Sequence, residues 1–269
     1  MNLVDTHCHI QSISSHSDDN TIRLWHKSGL SADQVIENAL SKGVNKLICV
    51  GCDLDDSVLA VSFTKQRPNC YASIGIHPHE ASRYKDEAML KDQFLSLAKD
   101  SKVVAIGECG LDYYYTHSSP LDQKRLLDWQ LKLAYELKLP LIFHVREAFA
   151  DFWPLFDQYR GKIKGVLHSF TDSKQNMEMA LERGLYFGLN GIATFSKDKL
   201  QQEMFSLIPI DHILLETDAP YLTPTPYRGT INEPKQIRTI AEFLSKERGI
   251  ELETLANATT SNANLLFKI

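Results

Sequence analysis

The sequence predicts an α/β fold of the TIM (β/α)8 barrel type, on three observations. Eight short runs rich in β-branched and other apolar residues recur along the chain, longer amphipathic stretches lie between them, and the unit repeats about every thirty residues. Eight such units in about 250 residues is the size of that barrel. The 269 residues are 43% hydrophobic and 23% charged, enough for one large core. One domain over 1–269 is expected, because no stretch rich in Pro, Gly or Ser divides it. An open doubly wound sheet would carry a Gly-rich phosphate turn after its first strand, and none is present.

In chain order, the strand-like runs are Leu3 to His7, Val44 to Val50, Tyr71 to Ile76, Val103 to Gly107, Leu141 to Val145, Lys164 to His168, Tyr186 to Asn190 and His212 to Thr217. Apolar residues three and four apart predict helices between them, as in Ala32 to Ser41, Gln123 to Leu137 and Asn176 to Arg183. The tail from Ile250 to Ile269 is expected to add a helix outside the barrel. Gln11 to Ser31, polar in Ser, Asp and His, exceeds the roughly two to six residues usual for a βα loop. It reads equally as a lid and as a plain insertion.

A net charge of -5 and a pI near 6.1 give no overall pull toward nucleic acid or anionic membrane. A polyanionic substrate would have to be held by local cations or metal, and a long non-specific DNA groove is not expected. The start of the chain lacks a basic segment leading into an apolar stretch, and no apolar run approaches membrane-spanning length. A cytoplasmic protein without a membrane partner is expected. The five cysteines (Cys8, Cys49, Cys52, Cys70, Cys109) are scattered beside apolar runs, which predicts buried reduced thiols. Cys49-Val50-Gly51-Cys52 has no second CxxC, so packing is expected of it rather than zinc or redox chemistry.

In a barrel, the carboxyl ends of all strands meet on one face. His7 and His9 are two apart on a strand, so both imidazoles point the same way while Cys8 points the other. The fourth run ends in Glu108, the fifth in His144, the sixth in His168 and the eighth in Glu216-Thr217-Asp218. Taken singly, each is as readily a hydrogen-bonded core residue. Together, His7, His9, Glu108, His144, His168 and Asp218 could hold two divalent ions roughly 3.5 to 4 Å apart. Glu216, one pleat deeper, and Asp5, two residues before His7, read as orienting carboxylates or buried structural ones. His77 is a candidate substrate or phosphate contact, or a loop histidine before a proline. Arg146 and Arg228 suit bidentate phosphate contacts, or surface ion pairs. Tyr113-Tyr114-Tyr115 could stack a terminal base or simply pack on the rim. With no GxSxG elbow, P-loop or HExxH, serine acyl transfer, ATP hydrolysis and zincin proteolysis have no support.

Several motifs occur together: Asp5-Thr6-His7-Cys8-His9, Gly75-Ile76-His77-Pro78, Gly107-Glu108-Cys109-Gly110-Leu111-Asp112-Tyr113 and His144-Val145-Arg146-Glu147-Ala148. They continue with His168-Ser169-Phe170, Leu215-Glu216-Thr217-Asp218-Ala219-Pro220-Tyr221-Leu222 and Arg228-Gly229-x-x-Asn232-Glu233-Pro234. The chain thereby resembles the TatD-type metal-dependent deoxyribonucleases within the amidohydrolase-like barrels. Ser169 stands where a Cys is common, Val145 where a small polar residue is common, and Gln11 to Ser31 is longer than usual. The resemblance implies two divalent cations (Mg, Mn or Zn), one held by His7, His9 and Asp218, the other by His144 and His168, with Glu108 bridging. It implies catalytic roles for Glu108 and for Asp218, which would carry the proton of the attacking water. The expected activity is 3′ to 5′ exonuclease hydrolysis at short or single-stranded DNA ends, by a monomer, with His77, Arg146 and Arg228 on the substrate. The alternatives are an amidohydrolase acting on a small cyclic amide, lactone or ester, and a binding protein that has lost catalysis.

Overall fold

The structure, a computed structural model, describes residues 1–15, 20–115 and 117–269. The strands are β1 (Leu3–Cys8), β2 (Val44–Val50), β3 (Cys70–Ile74), β4 (Val103–Asp112), β5 (Leu141–Arg146), β6 (Gly165–Leu167), β7 (Tyr186–Leu189) and β8 (Ile213–Leu215). They lie side by side in sequence order and every pair is parallel. Strands covered on both faces need near-continuous apolar runs, which is what these sequences supply. The ring is joined at its carboxyl end. There Cys8 bridges Ala219, the Asp218 amide donates to the His7 carbonyl at 2.8 Å, and the His9 amide donates to the Ala219 carbonyl at 2.8 Å. This is the TIM barrel predicted above.

The helices are α1 (Asn20–Ser28), α2 (Ala32–Ser41), α3 (Leu54–Thr64), α4 (Glu87–Leu97), α5 (Pro120–Leu137), α6 (Phe149–Phe156), α7 (Lys174–Leu181), α8 (Ile192–Phe195), α9 (Lys199–Leu207), α10 (Ile237–Glu247) and α11 (Leu252–Phe267). Capping sets their starts. α5 begins three residues before the expected Gln123, because the Ser119 side chain accepts from the Asp122 amide and Pro120 fits the first turn. The Ser173 side chain likewise accepts from the Asn176 amide, so α7 begins at Lys174, two residues before the expected Asn176.

The strand ends differ from the periodicity. β4 runs on from Gly107 to Asp112, whereas β6 and β8 stop at Leu167 and Leu215. Shortly beyond these two, Ser169 and Asp218 take φ of 49° and 57°, a left-handed backbone that no strand continues through. The polar stretch after β1 contains a 3-10 turn (Ile10–Ser14) and α1, whose buried Trp25 donates its indole N–H to the His9 carbonyl at 3.0 Å. That half of the stretch is a prop behind β1. Residues 16–19 of it lie outside the described residues.

The tail helix is present, but it is not peripheral. Ala263, Leu266 and Phe267 of α11 pack with Val4, Ile48, Val104, Ile142, Val166 and Leu214, and Asn262 donates to the carbonyls of Ile210 and Ile213. α11 therefore plugs the amino-terminal end of the barrel. Two residues farther along the same strand faces stand His144, His168 and Glu216. An apolar lower layer thus carries a polar upper one.

Candidate active site

Glu108 lies at the centre of that polar layer, 4% exposed. His7 Nε2 is 3.4 Å from its Oε2, while His144 Nδ1 is 3.0 Å, His77 Nε2 3.6 Å and His168 Nε2 3.9 Å from its Oε1. Asp218 forms the other wall, 3.4 Å from His9 Nε2, 3.7 Å from His7 Nε2 and 3.9 Å from His168 Nε2. The rings of His7 and His168 stack at 3.6 Å. Four groups have donor atoms close enough to share an ion: His7, His9 and Asp218; His7, Glu108 and His168; His77, Glu108 and His144; and His9, Cys52 and Glu108. Among these groups His168 shares Glu108 with His7, and His144 shares it with His77.

The hydrogen bonds on the far side of each ring decide which nitrogen faces inward. His9 Nδ1 donates to the Val50 carbonyl at 3.0 Å, His144 Nε2 donates to Asp112 at 2.8 Å, and His168 Nδ1 lies 2.9 Å from Glu216. For His9 and His144 the acceptor fixes a proton on the outer nitrogen, so the inner nitrogen is the one turned toward Asp218 or Glu108 and able to ligate a cation once it carries no proton. His77 is turned the other way. Its Nδ1 accepts from the His79 amide at 3.2 Å, which leaves an N–H on the nitrogen facing Glu108. Among the described residues no Lys or Arg reaches ion-pair distance of Glu108 or Asp218. Two carboxylates ringed by imidazole nitrogens are a hard to borderline, oxygen- and nitrogen-donor set suited to divalent cations.

Electrostatics follows from the same contacts. Burial would raise Glu108, but His77, His7, His168 and the His144 hydrogen bond outweigh it and hold the carboxyl well below its usual range. Asp218 is likewise held low, burial being overcome by the His9 hydrogen bond and the neighbouring rings. Burial would lower His168, yet Glu216 and Glu108 push it up to about 9. Burial dominates at His77 and pushes it well down, so that ring is neutral.

Support comes from residues one step away. Asp112 also accepts from His79 at 3.0 Å, and burial notwithstanding, its hydrogen bonds from His144 and His79 hold it far below the carboxylate range. Glu216 accepts from the Ser169 amide at 2.7 Å and from Asn190 at 3.2 Å. Gly188 makes room for it, since a Cβ there would lie 2.1 Å from a Glu216 oxygen. Asp5 faces away from the cluster, accepting from the Thr217 amide at 2.9 Å, the Thr217 hydroxyl at 2.5 Å and the His7 amide at 3.2 Å. It ties β1 to the loop that carries Asp218.

Arg146 and Arg228 are exposed and stand away from Glu108, each over an aromatic ring. The Arg146 guanidinium is 3.9 Å from the centre of Tyr114, that of Arg228 3.8 Å from the centre of Phe195. Two residues at the site were given no part in it from the sequence. Asp112 shares the strand face of Glu108 at a period of two, but β4 was expected to end earlier. Cys52 departs from the packing expected of it: half-buried, it puts Sγ 3.8 Å from Glu108 and 3.9 Å from His9, whereas the other four thiols are fully buried.

The sequence profile of the TatD-related DNases matches residues 4–268. The chain belongs to this family. It is 36% identical over 244 residues to the 3′-5′ ssDNA/RNA exonuclease TatD of Salmonella typhimurium, covering 88% of this chain and 93% of that one. A metal-dependent hydrolase of Buchnera aphidicola is 32% identical over 270 residues, covering 100% and 97%. Among solved structures, the TatD homologue YjjV of Escherichia coli superposes with a TM-score of 0.86 at 26% identity, covering 99% and 98% of the two chains. As a TatD-family barrel, this chain carries no helix, among the described residues, long and apolar enough to cross a membrane.

Proposed function

We propose that this TatD-family chain is a divalent-metal-dependent hydrolase that removes nucleotides from the 3′ end of single-stranded DNA, with RNA as a second substrate by likeness to its relatives. One observation carries the reading. Glu108 and Asp218 are enclosed by His7, His9, His144 and His168, with His9 and His144 held by outer hydrogen bonds so that an inner nitrogen faces the carboxylates. His7, His9 and Asp218 would hold one cation, His144 and His168 a second, with Glu108 between them. Bound there, such cations polarise a phosphoryl oxygen and make a water acidic enough to attack near neutral pH.

The chain's own groups do the rest. Asp218, with a side chain 16% exposed, is placed to accept the attacking water's proton and return it to the leaving 3′ oxygen. His77 offers its inward N–H to a non-bridging phosphate oxygen, where negative charge builds in the transition state. Asp112 and Glu216 hold His144 and His168 in register. Arg146 presents guanidinium donors that no carboxylate among the described residues occupies. The test is release of mononucleotides from labelled single-stranded DNA with Mg, Mn or Zn, and with EDTA. Release with at least one metal and none in EDTA is expected. No release with any of the three would overturn the reading.

A further inference from the structure

We infer that Tyr114, Tyr115 and Arg146 form a stacking platform on the barrel rim that seats the terminal nucleobase of an unpaired 3′ end. The inference rests on the exonuclease reading above and names how that site selects its substrate.

Three consecutive tyrosines follow β4, and the structure separates them. Tyr113 is anchored, its hydroxyl donating to Asp151 at 2.7 Å. Tyr114 and Tyr115 are 52% and 42% exposed, and lie edge to face with centres 4.7 Å apart. Arg146 lies over both rings, at 3.9 and 4.9 Å. A guanidinium held against rings, with no carboxylate partner among the described residues, keeps donors free for a phosphate. Aromatic faces beside such a cation are what single-stranded nucleic acid uses, because every base has a π-face.

The platform is built into the site. The amides of Tyr114 and Tyr115 donate to Asp112 Oδ1 at 3.0 and 2.9 Å, while Asp112 Oδ2 accepts from His144 at 2.8 Å. One carboxylate therefore fixes both the rings and a histidine that touches Glu108. Register places Asp112 opposite Arg146, and Arg146 is two residues past His144 on β5. That is about 7 Å along the strand, a span of about two stacked nucleotides. A terminal base in a duplex keeps one face on its neighbour and its edge in the base pair, so it is not free to turn onto the rings. An unpaired one is.

The experiment measures binding of fluorescein-labelled single-stranded oligothymidylate by anisotropy in EDTA, and its cleavage with Mn. Tyr114→Ala combined with Tyr115→Ala is expected to raise Kd and KM about tenfold, with kcat changed less than about twofold. Tyr114→Trp, which keeps a stacking face, should bind as wild type does. An oligonucleotide whose last two nucleotides are abasic should bind wild type and the double variant alike. Arg146→Gln should reduce the slope of log Kd against log salt by about 0.7. Wild-type affinity in the double variant, or an equal loss on abasic and normal ends, would overturn the platform. A wild-type protein that binds the oligonucleotide but does not cleave it would overturn the exonuclease reading and leave the platform standing.

Discussion

At the scale of single residues, the account turns on which ring nitrogen carries a proton. His9 and His144 aim their inner nitrogens at the carboxylates because Val50 and Asp112 accept on the outer side, whereas His77 keeps an N–H inward because its outer nitrogen is itself an acceptor. His77→Leu should therefore lower kcat by about 10²- to 10³-fold, the cost of losing a donor to the developing charge, while metal affinity by calorimetry stays unchanged. A parallel loss of metal binding would instead make His77 a ligand. The second prediction concerns protons. His168, pushed up to about 9, is protonated at pH 7 in the metal-free protein, and its inner proton must leave before Nε2 can bind a cation. Metal affinity should then rise with pH, by up to about tenfold per unit for each proton displaced, and level off above about 9. Calorimetry in two buffers of different ionisation enthalpy at pH 7 should detect the released proton; none would contradict the assignment.

At the scale of elements, close approach of backbones is what aims the site. A Cβ on Gly110 would lie 1.8 Å from the His144 carbonyl oxygen, and Gly110 has a φ of 151° that side chains rarely adopt. Gly110→Ala should push β4 off β5 and cost about 3 kcal/mol in denaturant unfolding, from overpacking and backbone strain together. A loss under about 1 kcal/mol would show that the strands give way easily. Much of this layer was legible in the sequence. Alternation by two places His144 above Ile142 and His168 above Val166, so apolar runs ending in polar residues mark the mouth. The rest was hidden where regular backbone gives out. Asp112 was missed because β4 outlasts its β-branched run, and Cys52 because it sits on the loop after β2, where no period assigns a direction. His77 faces inward because it caps the turn after β3, and a cap leaves no apolar pattern to read.

At the scale of the whole molecule, the barrel separates stability from chemistry. α11 plugs one end with Phe267, 3% exposed, while every candidate site residue with a buried side chain lies at the other. Phe267→Ala should destabilise the protein by about 3 to 5 kcal/mol and leave kcat per folded molecule unaltered, as checked by unfolding alongside titrated active sites. A lowered kcat in the folded variant would mean the plug also positions the mouth. The net charge of -5 fits the same division, since it gives DNA no overall attraction and affinity must come from local groups at that mouth. The central claim is that Glu108 and its ring of histidines hydrolyse a single strand from its 3′ end with bound metal. The most direct test is a gel of 5′-labelled single-stranded oligonucleotide digested with Mn by wild type and by Glu108→Ala. A ladder shortening one nucleotide at a time in wild type only is predicted. A ladder of equal intensity from the folded Glu108→Ala protein, or release of the labelled 5′ nucleotide first, would contradict it.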